Sequence, residues 1–279
     1  MIHAVPNCGL ARSYVVSGKD GLMVVDVGSV GTAEDVLDYI KSQPGMSLNM
    51  VKYITATHFH IDHIGGIGRF LAGCPPTVRV LFHNLVKGYL EEKARISLIR
   101  NWCVGLLPAT LVSSRYVNKI SHFQFETPAG IPLSGLRNIV KLPYEERIDY
   151  FGREEEPPLS NAALLEGQNK GPALPALPAL KRYPLGFDQW EVIETHGHTE
   201  DSVCFFNPLS EELICGDLIV NMEKNGRGKL NRFCWNKAAI VNSYESLVAS
   251  ISVKTIYPGH GDLIRDEDNA MRRVRAFKN

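Results

Sequence analysis

Disulfide-type cysteine spacing is missing from this chain. Cys8, Cys74, Cys103, Cys204, Cys215 and Cys234 are scattered over 279 residues with no C-x-x-C pair, which excludes a disulfide framework and leaves reduced, mostly buried thiols. Cys215 stands near a motif aspartate, but no His or Asn/Asp context marks it as a nucleophile. An excess charge of one sign is missing too. Thirty basic and thirty acidic residues cancel, so nothing draws the chain generally to nucleic acid or to an anionic membrane. The expected partner is a small-molecule substrate. No apolar run approaches the roughly 18 residues of a membrane span, and Met1 to Pro6 lacks the basic and apolar regions of a signal peptide. A cytoplasmic location is the expectation. P-loop, G-x-S-x-G and G-x-G-x-x-G patterns are all lacking, which removes support for NTP, serine or dinucleotide chemistry. With 44% hydrophobic and 22% charged residues, the composition is that of an ordinary globular protein.

What is present is histidine in a dense pattern. His58-Phe59-His60-Ile61-Asp62-His63 packs three imidazoles and a carboxylate into six residues. Imidazole and carboxylate together suit zinc, iron or manganese, and the His58-x-His60 alternation aims two rings to one side of an extended segment. Asp62 and His63 open a helix and can face a second ion.

The surrounding sequence alternates between strand and helix signals. Tyr14 to Val16 and Leu22 to Asp26 read as a hairpin around a Ser-Gly-Lys-Asp-Gly tip. Thr32 is the expected cap of a helix over 33–42, with Glu34 and Asp35 in its first turn. Val51 to Thr57 and Thr77 to Phe82 read as strands flanking a helix from His63 to Leu71. Helical periodicity runs from Leu85 to Arg100. Gly171 to Leu180 holds a Pro-Ala-Leu repeat, whose prolines forbid helix and central strand and predict a polyproline-like strap. Strand signals resume at Gln189 to Thr195, Ser202 to Phe206, Glu212 to Cys215 and Val253 to Tyr257, and a charged helix is expected over Asp266 to Phe277. Three further motifs follow strands: His196-Gly197-His198-Thr199, Gly216-Asp217, and Pro258-Gly259-His260. Scaffolds present chemistry at such strand ends.

In this combination the motifs resemble the metallo-β-lactamase-fold hydrolase superfamily. H-x-H-x-D-H is His58 to His63, G-H-T is Gly197 to Thr199, G-D is Gly216-Asp217, P-G-H ends at His260, and the early D-x-G is Asp26-Val27-Gly28. The resemblance covers residues 1–83 and 187–279. It implies an α+β, four-layer αββα sandwich as one domain, with an insertion over 84–186 forming a partly helical cap or a homodimer interface. It further implies two divalent metal ions, zinc by default and iron or manganese otherwise. His58, His60 and His198 would hold one, Asp62, His63 and His260 the other, and Asp217 would bridge them. A water-derived nucleophile between the ions would attack the substrate, with Asp62 steering it. Asp26 would orient a ligand.

Two departures narrow the expectation. The usual proline of T-P-G-H-T is His196 here, which could line the pocket, donate a proton or satisfy backbone. An aspartate at 217 speaks against antibiotic hydrolysis, since β-lactamases of this fold generally place Cys or Ser there; Val220, where lactonases commonly carry tyrosine, weakens lactonase activity. The leading expectation is a dinuclear hydrolase of a small ester, thioester or lactone. Asn221, Lys224, Arg227 and Lys229 are candidate substrate-anion contacts. Alternatives are a mononuclear iron persulfide dioxygenase, which needs fewer ligands, a phosphodiesterase or nuclease, which the neutral charge disfavours, and a binding module without turnover.

Overall fold

The computed structural model describes residues 1–90, 116–125, 142–152, 179–223 and 226–277. Two six-stranded sheets organise them. The first has the order β1 (Ile2–Ala4), β2 (Tyr14–Gly18), β3 (Gly21–Val25), β4 (Val51–Thr55), β5 (Arg79–His83) and β6 (Ile148–Phe151). Its first three strands are antiparallel neighbours and β3 to β6 run parallel. The second sheet runs β14 (Ile264–Arg265), β13 (Thr255–Pro258), β10 (Glu212–Gly216), β9 (Val203–Asn207), β8 (Glu191–Glu194) and β7 (Arg182–Pro184). A small third sheet joins β11 (Ile219–Val220), β12 (Gly228–Leu230) and β15 (Val274–Arg275).

Alternation along the strands divides the core into three layers. Val15, Leu22 and Val24 face one way, onto Val36 and Ile40 of helix α1 (Val30–Ser42) and Ile67 and Phe70 of α3 (Ile67–Ala72). Tyr14, Val16, Met23 and Val25 face the other way, where they meet Val192, Phe205, Ile214 and Tyr257 of the second sheet. The far face of that sheet, with Cys204, Leu213 and Ile256, packs on Ile240, Tyr244 and Leu247 of a long helix, Lys237–Ser250. Helix, sheet, sheet, helix is the four-layer order expected.

Several local expectations are corrected. Helix α1 starts earlier than predicted and is capped by Ser29, whose Oγ accepts from the Thr32 N–H at 3.1 Å. Thr32 instead donates its hydroxyl to the Cys8 carbonyl at 2.6 Å. Glu34 and Asp35 lie beyond the first turn and hold Lys119 and His122. The run from His63 to Leu71 is two helices, α2 (Ile61–Ile64) and α3, parted at Gly65-Gly66. The charged C-terminal segment is not an α-helix: it forms a 3-10 turn, Ala270–Arg273, whose buried Ala270 and Met271 are adjacent rather than helically spaced, and then β15. The helix Lys237–Ser250, α5 among those described, carried an overlooked signal in Ile240, Tyr244, Leu247 and Ile251, at helical spacing behind an Asn236 cap.

The insertion expected over 84–186 is not continuous. Residues 148–151 form the edge strand β6, whose Ile148 and Phe151 enter the core, and 182–184 form β7. A four-residue strand between Glu145-Glu146-Arg147 and Gly152 is too short to show periodicity. Helical structure continues from the first sheet as α4 (Leu85–Leu90). Residues 91–100, Cys103 and residues 171–178 of the Pro-Ala-Leu segment lie outside the described residues.

The 3-10 turn Ile120–Phe123 is docked on α1 by charge. Buried His122 meets Asp35 Oδ2 at 2.6 Å through Nε2. Although burial raises the Asp35 carboxyl, His122 and Lys119 outweigh it and hold it below its ordinary value. Its contribution is therefore present above the unfolded carboxylate pKa of about 3.9 and lost as pH falls through the depressed folded value. Asp35→Asn is expected to be less stable than the wild type at pH 6 by chemical denaturation. That gap should close as pH drops below about 4.

Candidate metal centre

The site lies where the ends of strands from both sheets meet. The stretch after β4 supplies His58, His60, Asp62 and His63, the loop after β8 supplies His198, the end of β10 supplies Asp217 and the end of β13 supplies His260. Backbone hydrogen bonds fix the register between them. Val203 N–H donates to Thr57 O at 2.9 Å, Gly259 N–H to Gly216 O at 2.7 Å and Arg12 N–H to Gly259 O at 2.7 Å. Asp201 accepts from the Phe59 N–H at 2.7 Å, which ties the histidine run to the second sheet. Two glycines are dictated by crowding: a Cβ on Gly259 would sit 2.3 Å from Asp217 Oδ1, and Gly216 is left-handed (φ 49°) with Thr57 2.5 Å from a Cβ there.

The donor atoms converge in three overlapping groups: His58, His60 and His198; His58, His63 and Asp217; Asp62, His63 and His260. Within each group one ligand atom per residue lies within 4.8 Å of the others. His60 Nδ1 is 2.9 Å from His58 Nε2 and 3.1 Å from His198 Nε2. Asp217 stands between the sets: Oδ1 is 3.5 Å from His63 Nε2, and Oδ2 is 3.5 Å from His198 Nε2 and 3.3 Å from His260 Nε2. Asp62 Oδ2 lies 3.4 Å from His260 Nε2.

This donor set fits metal ions. His63 Nε2 and Asp217 Oδ1 are buried without a hydrogen-bond partner, an arrangement that costs free energy unless something else satisfies them. Outer nitrogens are already engaged in the way metal-bound imidazoles require. His63 Nδ1–H donates to Asp26 Oδ2 at 2.9 Å, His260 Nδ1–H to the Leu10 carbonyl at 2.9 Å, and His198 Nδ1–H to the Phe233 carbonyl. Asp26 also accepts from Thr57 N–H at 2.8 Å and Thr57 Oγ1 at 2.9 Å.

Electrostatics set the same protonation states. Burial lowers His58, His60 and His198, with neighbouring imidazoles adding to the shift for each; His60 falls to about 3. Three neutral imidazoles are the ligand form. Burial would raise Asp62 and Asp217, yet the histidines around them outweigh it and keep both ionised. Burial likewise works against the charged forms of His63 and His260, but facing carboxylates prevail: His63 is raised to about 9, and His260 well above the usual histidine range. Metal ions bound there would displace those two protons.

A family model described as the metallo-beta-lactamase superfamily matches residues 6–81. Solved structures align over most of the chain. The BLEG-1 B3 metallo-β-lactamase is 17% identical with a TM-score of 0.54, covering 95% of this chain and 94% of that one. The chain has the metallo-β-lactamase fold. An archaeal metallo-β-lactamase superfamily protein from Sulfolobus tokodaii aligns at TM-score 0.52 and 17% identity, over 97% of this chain and 83% of its own. TTHA1623, solved in a di-iron-bound form, aligns at TM-score 0.50 and 16% identity, over 91% and 89%.

Around this metallo-β-lactamase-fold centre the remaining candidates separate. His196 is half-exposed, and both its nitrogens are engaged, Nε2 by Glu194 Oε2 at 3.0 Å and Nδ1 by the Glu200 carbonyl. Glu194 also accepts from Tyr183 and pairs with His83. His196 is therefore part of a polar network with Glu194 and His83. Asn221 is buried and ties its loop by donating Nδ2 to the Asp262 carbonyl at 2.9 Å. Lys229 pairs with Glu223, and Arg227 is exposed. Lys224 lies outside the described residues. The sequence reading missed Asn231, which is buried and donates Nδ2 to Asp217 Oδ2 at 3.2 Å. A lone asparagine in a loop carries no spacing signal.

Proposed function

We propose that the chain is a dinuclear metallohydrolase acting on a small ester, thioester or lactone, with His58, His60 and His198 holding one divalent ion, Asp62, His63 and His260 the other, and Asp217 bridging. The supporting observation is the placement of the two Asp217 oxygens between both histidine sets. Zinc is the default occupant for a His-rich hydrolytic site, and iron or manganese takes the same ligands. When bound, such ions lower the pKa of a shared water towards neutrality and polarise a carbonyl.

The protein's part is orientation. Asp26 holds the His63 ring, Leu10 O the His260 ring and Phe233 O the His198 ring, so each presents Nε2 to the centre. Asp62 is the one member of the seven that is not buried. Its exposed side makes it the carboxylate that can accept a hydrogen bond from an incoming water and aim it at the substrate.

Elemental analysis of the purified protein should give two metal ions per chain. Chelation should abolish hydrolysis of a panel of thioesters, esters and lactones, and added zinc or manganese should restore it. β-Lactams belong in that panel because one similar structure is a B3 metallo-β-lactamase. A single iron per chain with oxygen consumption would replace this reading by the persulfide dioxygenase.

A further inference from the structure

Loop 231–236 is fastened to the metal centre along its length. Asn231 accepts from the Phe233 N–H at 3.0 Å while its amide reaches Asp217. The Phe233 carbonyl accepts from His198 Nδ1, Trp235 N–H donates to the His198 carbonyl at 3.0 Å, and Asn236 N–H donates to Gly197 O at 2.9 Å. Side chains alternate along this stretch. Cys234 packs against the core beneath the second sheet, whereas Phe233 and Trp235 remain 43% and 49% exposed.

Two large aromatic side chains left in water forgo the gain of burial. Here the backbone cannot turn them inwards, because the same hydrogen bonds that hold the loop also orient the His198 ring. The two aromatics are thus fixed in register with a metal ligand, which is how a site positions an apolar recognition surface beside its chemistry.

We propose that Phe233 and Trp235 form the wall against which the apolar acyl portion of the substrate packs, so that the centre favours esters or thioesters of long-chain or ring-bearing acids over acetyl compounds. The inference rests on the hydrolase reading above and names its substrate class. Each methylene buried on such a wall contributes about fourfold in affinity.

The test uses metal-loaded protein and two hydroxamates with the same metal-binding head, acetohydroxamate and octanohydroxamate, titrated by calorimetry. Wild type is expected to bind the octanoyl compound at least tenfold more tightly. In the Phe233→Ala/Trp235→Ala double variant, which keeps the backbone groups that hold His198, that preference should fall about tenfold, and Trp235→Phe should retain most of it. Equal binding of both hydroxamates by wild type, or equal weakening of both by the double variant, overturns the wall. Turnover is measured separately on acetyl and octanoyl thioesters. Failure of wild type to hydrolyse any ester, thioester or lactone would remove the hydrolase reading, while the hydroxamate preference would still decide for or against the wall.

Discussion

Asp217→Ala is expected to lower kcat/KM by at least about a thousandfold and to reduce the metal content below two ions per chain. Among the described residues its carboxylate is the only one placed against both histidine sets, with oxygens 3.3 to 3.5 Å from the inner nitrogens of His63, His198 and His260. On the dinuclear reading proposed above, alanine would leave each set a ligand short and remove the negative charge that would lie between the two ions. Two such ions would supply several kcal/mol of transition-state stabilisation, and each 1.36 kcal/mol is a factor of ten in rate. Asp217→Asn keeps the shape and loses the charge, so it should retain part of the metal and little of the rate. Two ions per chain and unchanged kcat/KM in the alanine variant would remove Asp217 from the bridging position.

Asp26→Ala is expected to cost about 3 to 5 kcal/mol of unfolding free energy and 10- to 100-fold in metal affinity, read by denaturant titration of the metal-free protein and by competition with a chelating dye. Three donors depend on this fully buried carboxylate: Thr57 N–H, Thr57 Oγ1 and His63 Nδ1. Alanine orphans all three in the core. Asp26 also adopts the left-handed conformation (φ 60°), which aspartate and asparagine tolerate better than alanine. Asp26→Asn therefore separates the two effects: it keeps the backbone, so more stability should survive, yet metal affinity should still fall because no anion remains behind His63. Equal metal affinity in both variants and wild type would make Asp26 a turn residue alone.

The seven side chains now seen together were legible because each sits in a short contiguous motif at a strand end, where ligand spacing survives in one dimension. The sheets were legible for a similar reason: Tyr14 to Val25 alternates cleanly between two buried faces. Features set by distant partners were not. Asn231 and Glu194 gain their roles from side chains far away in sequence, and β6 is a strand only because β5 offers it an edge. The helix Lys237–Ser250 was overlooked although Ile240, Tyr244 and Leu247 recur at helical spacing, because Ala238, Ala239 and the exposed Val248 lie off that face and blur the period. Helix α1 shows the opposite error: Thr32 looked like a cap, but Ser29 stands where the chain turns and Thr32 is spent on Cys8.

The centre takes its donors from four separate stretches that belong to both sheets, and the cysteines among the described residues are all free. Ions seated there would pin the two halves of the sandwich at one edge, as staples join two boards. Because they bind the folded form, each hundredfold excess over the dissociation constant would add about 2.7 kcal/mol against unfolding. Metal supply would then govern how long the protein survives as well as how fast it works, and a starved cell would lose the molecule itself.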